Sequence, residues 1–271
     1  MTNTTRTLYK KMEWCSNKNM MPNINDVSIA RELASANLAG YVVTADMSVL
    51  AKIDRGRALQ IQAYVASKMD GRIAGYKVAA FSDDLIWAPV MQGRLLTTPA
   101  SLPKKIYGLG GVECELAFHF SKQPVHRHSE FTVGAIADAI DGVSAAIEVV
   151  NSRWSTALST PRNAMLADML SNAALVVGPI NHDWKRTQFD RITAELFVNG
   201  SSVHRTRGGH ADGDHLGAIA RLANNLLNRE ISIQPGAFVT TGSYTGFHIA
   251  ESGDAIEAHF EGYDSASVAF A

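Results

Sequence analysis

Two glutamates separated by one residue are the first groups in this sequence that could do chemistry. They lie in a run that reads VECELAFHF, residues 112–120. If this run is a β-strand, alternate side chains share a face, so Glu113 and Glu115 stand side by side about 7 Å apart. The other face is entirely apolar and should pack into the core. Like charges on one face repel, which favours a cation or a positive side chain between them.

A third carboxylate, Glu148, lies inside a second apolar run, which reads SAAIEVVNSR. A lone charge is expensive to bury without a partner, so Glu148 is a candidate to join the first two glutamates. Three carboxylates without a cysteine or histidine ligand pattern suit a hard divalent ion such as Mg²⁺ or Mn²⁺. The alternative interpretation is an antiparallel sheet with ordinary surface glutamates on its solvent face.

Hydrophobic periodicity predicts a helical N-terminal third. Apolar residues recur at helical spacing over 26–40 and again over 48–70, where Ser48 is the predicted cap. Residues 72–81, which read RIAGYKVAAF, then predict a short strand. The segment from there to about Gly111 contains three prolines and is predicted to be a loop.

The rest of the chain alternates short strands with a few helices. An Asn-Gly pair at 199–200 predicts a tight hairpin, because both residues tolerate positive φ. We expect a curved mixed sheet wrapped on itself. Strands are predicted at 112–120, 145–151, 173–177, 192–198, 202–205, 238–241, 255–260 and 265–270, and helices at about 133–140, 163–170 and 215–228.

These patterns predict an α+β fold class and three regions. Residues 1–25 form a polar N-terminal arm, and residues 26–100 a helical N-terminal region. Residues 101–271 form a mixed-β catalytic core that carries the candidate metal site.

The composition is that of an ordinary globular protein and narrows the choice of partners. The 271 residues include 25 lysines and arginines and 26 aspartates and glutamates, a formal charge of −1, with 46% hydrophobic residues. A chain whose charges balance in this way lacks the basic surface of a nucleic-acid binder. No sequence window approaches the roughly 18 apolar residues of a membrane span. We therefore expect a cytoplasmic protein, with no nucleic-acid or membrane partner, whose cysteines Cys15 and Cys114 are reduced thiols.

Several motifs in a fixed order resemble those of one enzyme family. They are Gly75-Tyr76-Lys77, the runs 112–118 and 147–153, Ala167-Asp168 followed by Ser171-Asn172-Ala173, Thr241-Gly242-Ser243 and Gly253-Asp254. From about residue 30 to the end, the chain resembles the 2-hydroxypentadienoate (2-keto-4-pentenoate) hydratase family of the fumarylacetoacetate hydrolase superfamily. The resemblance implies a mixed β-roll or sandwich-like catalytic core after a small helical N-terminal region.

The resemblance also implies roles for individual residues. Glu113, Glu115 and Glu148 would hold Mg²⁺ or Mn²⁺. Lys77 would be an acid/base or substrate-orienting group whose pKa the neighbouring cation lowers, and Ser171 would lie near the substrate. From the residues alone, Lys77 could equally be a surface lysine after a strand, and Ser171 a helix cap.

The implied reaction is the addition of water to a small 2-hydroxy-2,4-dienoic acid, giving a 4-hydroxy-2-oxo acid. The carboxylate and C2 oxygen of such a substrate can chelate one divalent ion, which stabilises the enolate charge. One departure from the family pattern bears on the water-addition step: Thr97 and Thr98 stand about where hydratases carry an acidic residue.

Three alternatives remain open. The first is a metal-dependent 2-oxo acid decarboxylase of the 4-oxalocrotonate type. The second is a C–C bond hydrolase of the same superfamily, but such hydrolases use a histidine before the E-x-E motif, whereas all nine histidines here follow Glu113. The third is a non-catalytic member. In each case we expect a homo-oligomer, because the N-terminal helices offer more apolar surface than a compact domain needs.

Overall fold

The computed structural model describes residues 24–69, 72–81, 84–126, 130–211 and 213–271. Most of the predicted polar arm and Cys15 therefore lie outside the described residues. The helices are α1 (Ile24–Ala39), α2 (Met47–Leu50), α3 (Arg55–Lys68), α4 (Lys104–Tyr107), α5 (Val133–Ala139), α6 (Arg162–Ala167) and α7 (His215–Leu227). The strands are β1 (Ile73–Phe81), β2 (Asp84–Met91), β3 (Leu95–Thr97), β4 (Ala100–Leu102), β5 (Gly111–Phe120), β6 (Ile140–Val150), β7 (Asn172–Val177), β8 (Thr193–Val198), β9 (Ser201–Arg207), β10 (Phe238–Thr240), β11 (His248–Ile249), β12 (Ala255–Phe260) and β13 (Ala266–Phe270).

The N-terminal helices α1 to α3 form a small helical layer, as the periodicity predicts. The second helical run is, however, divided in two, and Ser48 does not cap it. Asp46 accepts the backbone N–H of Ser48 and begins the single turn of α2, whereas Asp54 accepts the N–H of Arg57 and begins α3. Two aspartate caps within one apolar run thus start two separate helices.

The prediction of a loop after residue 81 is wrong, because β2 occupies most of its first half. This strand pairs antiparallel with β1, with Tyr76 opposite Pro89. Proline cannot donate a ladder hydrogen bond, but β2 is the edge strand of its sheet, where a missing N–H is tolerated. Although β1 and β2 lie within the predicted 26–100 region, they belong to the main sheet, and the boundary at residue 100 stays a prediction.

The main sheet is mixed and has the order β2-β1-β10-β5-β6-β7-β3, with β11 added beside β5. Its β1–β10 and β3–β7 pairs are parallel, whereas β5–β6 and β6–β7 are antiparallel. Val90 of β2 lies in one buried cluster with Ala117, Ala146 and Leu175 of the distant strands β5, β6 and β7. The sheet therefore curls on itself, which confirms the predicted α+β roll.

A second sheet, ordered β4-β13-β12-β8-β9, packs on the outer face of the roll. The apolar face of β5 points into the core between the layers, where the Phe118 ring lies 6.3 Å from the Trp184 ring and 5.5 Å from the His215 ring. The predicted hairpin joins β8 to β9, with φ of 52° at Asn199 and 77° at Gly200. Among the described residues, none of the helices has both the length and the apolar character needed to cross a bilayer.

Candidate metal centre

The register of β5 against β6 brings the three glutamates together. Glu113 lies directly opposite Glu148, and Glu115 stands two residues further along the same face of β5. One carboxylate oxygen from each residue lies within 4.8 Å of the other two. Their proximity agrees with the sequence prediction, whereas their role as metal ligands stays a prediction at this point.

Burial and mutual repulsion make this carboxylate cluster unfavourable on its own. Glu115 and Glu148 are 2% and 1% exposed. Burial and the charge of Glu148 raise the pKa of Glu113 to about 7, against the lowering effect of Lys77. The same burial and the charges of Glu148 and Glu113 raise the pKa of Glu115 to about 8. A positive group placed among them would reverse both shifts.

Two of the buried carboxylate oxygens, Glu115 Oε2 and Glu148 Oε2, have no hydrogen-bond partner among the described residues. Buried acceptors of this kind are costly unless they are satisfied. Oxygen donors on three convergent carboxylates are the ligands that Mg²⁺ and Mn²⁺ prefer. The residues present therefore fit a hard divalent cation, and the alternative of ordinary surface glutamates is wrong for Glu115 and Glu148.

Lys77 points from β1 into the same cluster. Its Nζ lies 2.5 Å from Glu148 Oε1 and donates to the Leu170 carbonyl at 3.2 Å. The side chain is 15% exposed, so the surface-lysine alternative is wrong. Burial lowers the pKa of Lys77, but the surrounding carboxylates outweigh burial, and the net pKa is raised. This differs from the lowered pKa expected beside a cation, because the charges that face the ammonium here are negative.

Two further residues act on the glutamates, and neither was assigned a role from the sequence. Asn172 Nδ2 donates to Glu148 Oε1 at 2.8 Å, so this oxygen accepts from both Lys77 and Asn172. The side chain of Thr240 on β10 lowers the pKa of Glu115, though by less than burial and the neighbouring charges raise it. Asn172 could have been suspected from its place beside Ser171 in a recognised motif. Thr240 could not, because only the long-range pairing of β10 with β5 places it there.

Ser171 lies in an unusual turn between α6 and β7. The predicted helix at 163–170 ends early, at Ala167, and Met169, Leu170 and Ser171 all have left-handed backbone with φ of 56°, 52° and 58°. Such a conformation costs about 1–2 kcal/mol for each residue that is not glycine. Ser171 accordingly is not a helix cap: its N–H bonds the Asp168 carbonyl, and its carbonyl accepts the Asn151 N–H. Its role near a substrate stays a prediction.

Thr97 and Thr98, which stand where the resemblance led us to expect an acidic residue, do not join the cluster through their described contacts. Thr98 bonds Ser267 of β13 through its hydroxyl at 3.1 Å, and Thr97 is exposed. His119, on the same face of β5 as the glutamates, lies 2.6 Å from Asp141 instead. Among the described residues, Lys77 is the one cation that acts on the pKa of Glu113 and Glu115.

Several known proteins are similar to this chain in sequence or in fold. No family model matches the chain. A curated relative, 4-oxalocrotonate decarboxylase of Pseudomonas putida, is 27% identical over 138 residues, which are 51% of this chain and 52% of the relative. The chain thus aligns with about half the length of that relative.

Solved structures extend the likeness over more of the chain. The 4-oxalocrotonate decarboxylase from Pseudomonas putida G7, complexed with magnesium and adipate, has a TM-score of 0.79 at 19% identity, over 98% of this chain and 100% of that one. A fumarylpyruvate hydrolase from Pseudomonas aeruginosa, in complex with Mn²⁺ and pyruvate, has a TM-score of 0.52 at 13% identity, over 73% of this chain and 89% of that one.

The chain has the fold of the fumarylacetoacetate hydrolase superfamily. The recognition made from the motifs is therefore confirmed at the level of the superfamily's fold. The narrower resemblance to hydratases stays a prediction, since the relatives compared above are a decarboxylase and a hydrolase.

Proposed function

We propose that this chain is a divalent-metal-dependent lyase that decarboxylates a small unsaturated 2-oxo dicarboxylic acid of the 4-oxalocrotonate type. The observation that carries the proposal is the cluster itself. Three carboxylates, two of them buried, converge within 4.8 Å, two of their oxygens lack a hydrogen-bond partner among the described residues, and one lysine ammonium lies against them.

Glu113, Glu115 and Glu148 would hold Mg²⁺ or Mn²⁺, because their charges and unsatisfied oxygens fit such an ion. The ion would supply an electrophile for the carboxylate and the C2 oxygen of a 2-oxo acid. Asn172 and Lys77 both donate to Glu148 Oε1, whereas Glu148 Oε2 has no hydrogen-bond partner among the described residues. The glutamates would thus hold the ion, and the amide and ammonium would fix the orientation of one ligand.

The proposed decarboxylation requires few protein side chains. In a 2-oxohex-3-enedioate, breaking the C5–C6 bond releases CO2, and its electron pair passes through the double bonds to the C2 oxygen. Protonation of that oxygen gives a 2-hydroxypenta-2,4-dienoate. Lys77 Nζ, held between Glu148 Oε1 and the Leu170 carbonyl, is the described group that can donate this proton.

Hydration is the second candidate, and the order of the motifs in the sequence favours it. Water addition at C4 needs a base for the water as well as a proton donor to carbon. Among the described residues we assign only Lys77 to proton transfer, and threonines occupy the position of the family's acidic residue. Decarboxylation needs one proton donor and agrees with the name of the curated relative, so we place it first.

One pair of assays separates the two reactions. With Mg²⁺ or Mn²⁺ present, the purified protein should release CO2 from 4-oxalocrotonate and accumulate dienoate absorbance. A hydratase would instead remove the absorbance of 2-hydroxypenta-2,4-dienoate and form a 4-hydroxy-2-oxo acid. Turnover of neither acid, or turnover that chelation leaves unchanged, would contradict the proposed function.

A further inference from the structure

Three consecutive residues, none of them glycine, adopt a left-handed backbone conformation beside the candidate metal centre. Met169, Leu170 and Ser171 have φ of 56°, 52° and 58°. Residues with side chains rarely adopt this conformation, and a run of three persists only where the surroundings impose it. Something outside the turn must therefore hold it.

A buried ion pair spans the turn. Asp168 is fully buried, Arg153 is 4% exposed, and Arg153 Nε donates to Asp168 Oδ1 at 2.7 Å. The same guanidinium donates to the Asp168 carbonyl at 2.7 Å, just before the turn, and to the Asn172 carbonyl at 2.9 Å, just after it. The backbone N–H of Arg153 also donates to Asp168 Oδ2 at 2.8 Å. One side chain thus fixes both ends of the turn.

The turn at 169–171 and the residue that follows it each present one group to the metal centre. The Leu170 carbonyl accepts from Lys77 Nζ at 3.2 Å, and the Asn172 side chain donates to Glu148 Oε1 at 2.8 Å. A shift of this backbone would move both contacts together. Among the described residues, the side-chain hydrogen bonds of Arg153 and Asp168 are to each other, to the Asp168 and Asn172 carbonyls, to the Arg153 N–H and to Asn37, and none is to the three glutamates.

We propose that Arg153 and Asp168 are positioning residues, which hold the left-handed turn at 169–171 so that Leu170 and Asn172 orient Lys77 and Glu148 for metal binding and proton transfer. The inference rests on the proposed function in so far as it concerns turnover. The part that concerns the geometry of the turn stands independently of it.

The test compares two buried aspartates. Asp168→Asn removes the charge that holds the guanidinium. Asp26→Asn is the matched control, because Asp26 is also fully buried and paired with an arginine, Arg57, but joins α1 to α3. We expect Asp168→Asn to lower Mn²⁺ affinity, measured by calorimetry, about 10- to 100-fold, as for other partners of metal ligands. The control should stay within about twofold of wild type.

A second readout does not depend on metal or activity. The Asn151 N–H bonds the Ser171 carbonyl at 2.8 Å, so its hydrogen exchange, followed by NMR, reports the turn. Exchange at Asn151 should be at least tenfold faster in Asp168→Asn than in the control. This readout still tests the positioning role if the wild type binds no Mn²⁺, the result that would contradict the proposed function.

A milder variant covers the case in which Asp168→Asn does not fold. Arg153→Lys keeps the positive charge but cannot span both ends of the turn, and it should show the same two effects. It should also lower kcat more than it changes KM. Wild-type Mn²⁺ affinity together with wild-type Asn151 exchange in a folded variant would overturn the inference.

Discussion

At the scale of single residues, the candidate centre depends on charges that do not balance within the described residues. Three carboxylates face one ammonium, and two of them have pKa values raised to about 7 and 8. Lys77 partly offsets this repulsion through Glu148. The same lysine is the group on which the proposed proton transfer depends, so its removal separates metal binding from chemistry.

Lys77→Ala should lower kcat about 10²- to 10⁴-fold, the usual effect of losing a general acid or base. Mn²⁺ binding should survive, because the three glutamates remain. Steady-state kinetics with a calorimetric Mn²⁺ titration makes the measurement, and Lys104→Ala, at an exposed position, serves as the control. A change confined to KM would instead indicate that Lys77 only anchors the substrate.

A second residue-scale prediction concerns His215, which lies in the core away from the glutamates. Burial, with a smaller effect of His210, lowers the pKa of His215 to about 3, against about 6.5 in an unfolded chain. Between these values the unfolded state binds the additional proton, so the contribution of His215 to the free energy of unfolding falls as pH falls below about 6.5. The limiting slope is about 1.4 kcal/mol per pH unit.

Urea unfolding in EDTA between pH 7.5 and 5 measures this slope. The variant His215→Gln should lack its contribution, whereas His259→Gln, at a side chain that is 46% exposed, should retain it. Equal slopes in wild type and His215→Gln would show that His215 is not held neutral in the folded protein.

At the scale of elements, the sequence analysis succeeded where one local signal decides the structure. The predicted strand at 112–120 and the predicted helix at 215–228 match β5 and α7 to within one residue. It failed where distant residues decide. The edge strand β2 contains Pro89, which is tolerated only because of its place in the sheet, and the left-handed turn at 169–171 depends on Arg153, a residue of a different segment. Proximity of the glutamates followed from motifs, but the contact of Asn172 with Glu148 did not.

The β8–β9 hairpin gives a prediction about stability alone. Gly200 has φ of 77°, and an added Cβ would meet nothing within 4 Å. Gly200→Ala should therefore destabilise the protein by about 1 kcal/mol through backbone strain only.

Gly134→Ala in α5 is the matched control with the opposite sign. Its added Cβ would lie 3.8 Å from Thr132 Oγ1, an ordinary contact, and alanine favours helix by roughly 0.5–1 kcal/mol over glycine. Denaturant unfolding measures both variants. Equal effects of the two substitutions would contradict the assignment of a left-handed residue at 200.

At the scale of the whole molecule, strands β1, β5 and β6 of the main sheet carry the charged cluster. The superfamily fold accounts for the architecture, whereas substrate and reaction belong to the particular side chains around the cluster. A homo-oligomer stays a prediction, for which light scattering should give at least twice the 29.3 kDa chain mass.

The central claim is that Glu113, Glu115 and Glu148 bind a divalent ion, and calorimetric titration of Mn²⁺ into EDTA-treated protein tests it most directly. Glu115→Gln keeps the shape of the side chain and removes one charge, and Glu257→Gln, at an exposed position on β12, is the control. We predict one Mn²⁺ per chain for wild type and control, and an affinity at least about 100-fold lower for a folded Glu115→Gln. Absence of Mn²⁺ binding by wild type, or binding that Glu115→Gln leaves undiminished, would contradict the account.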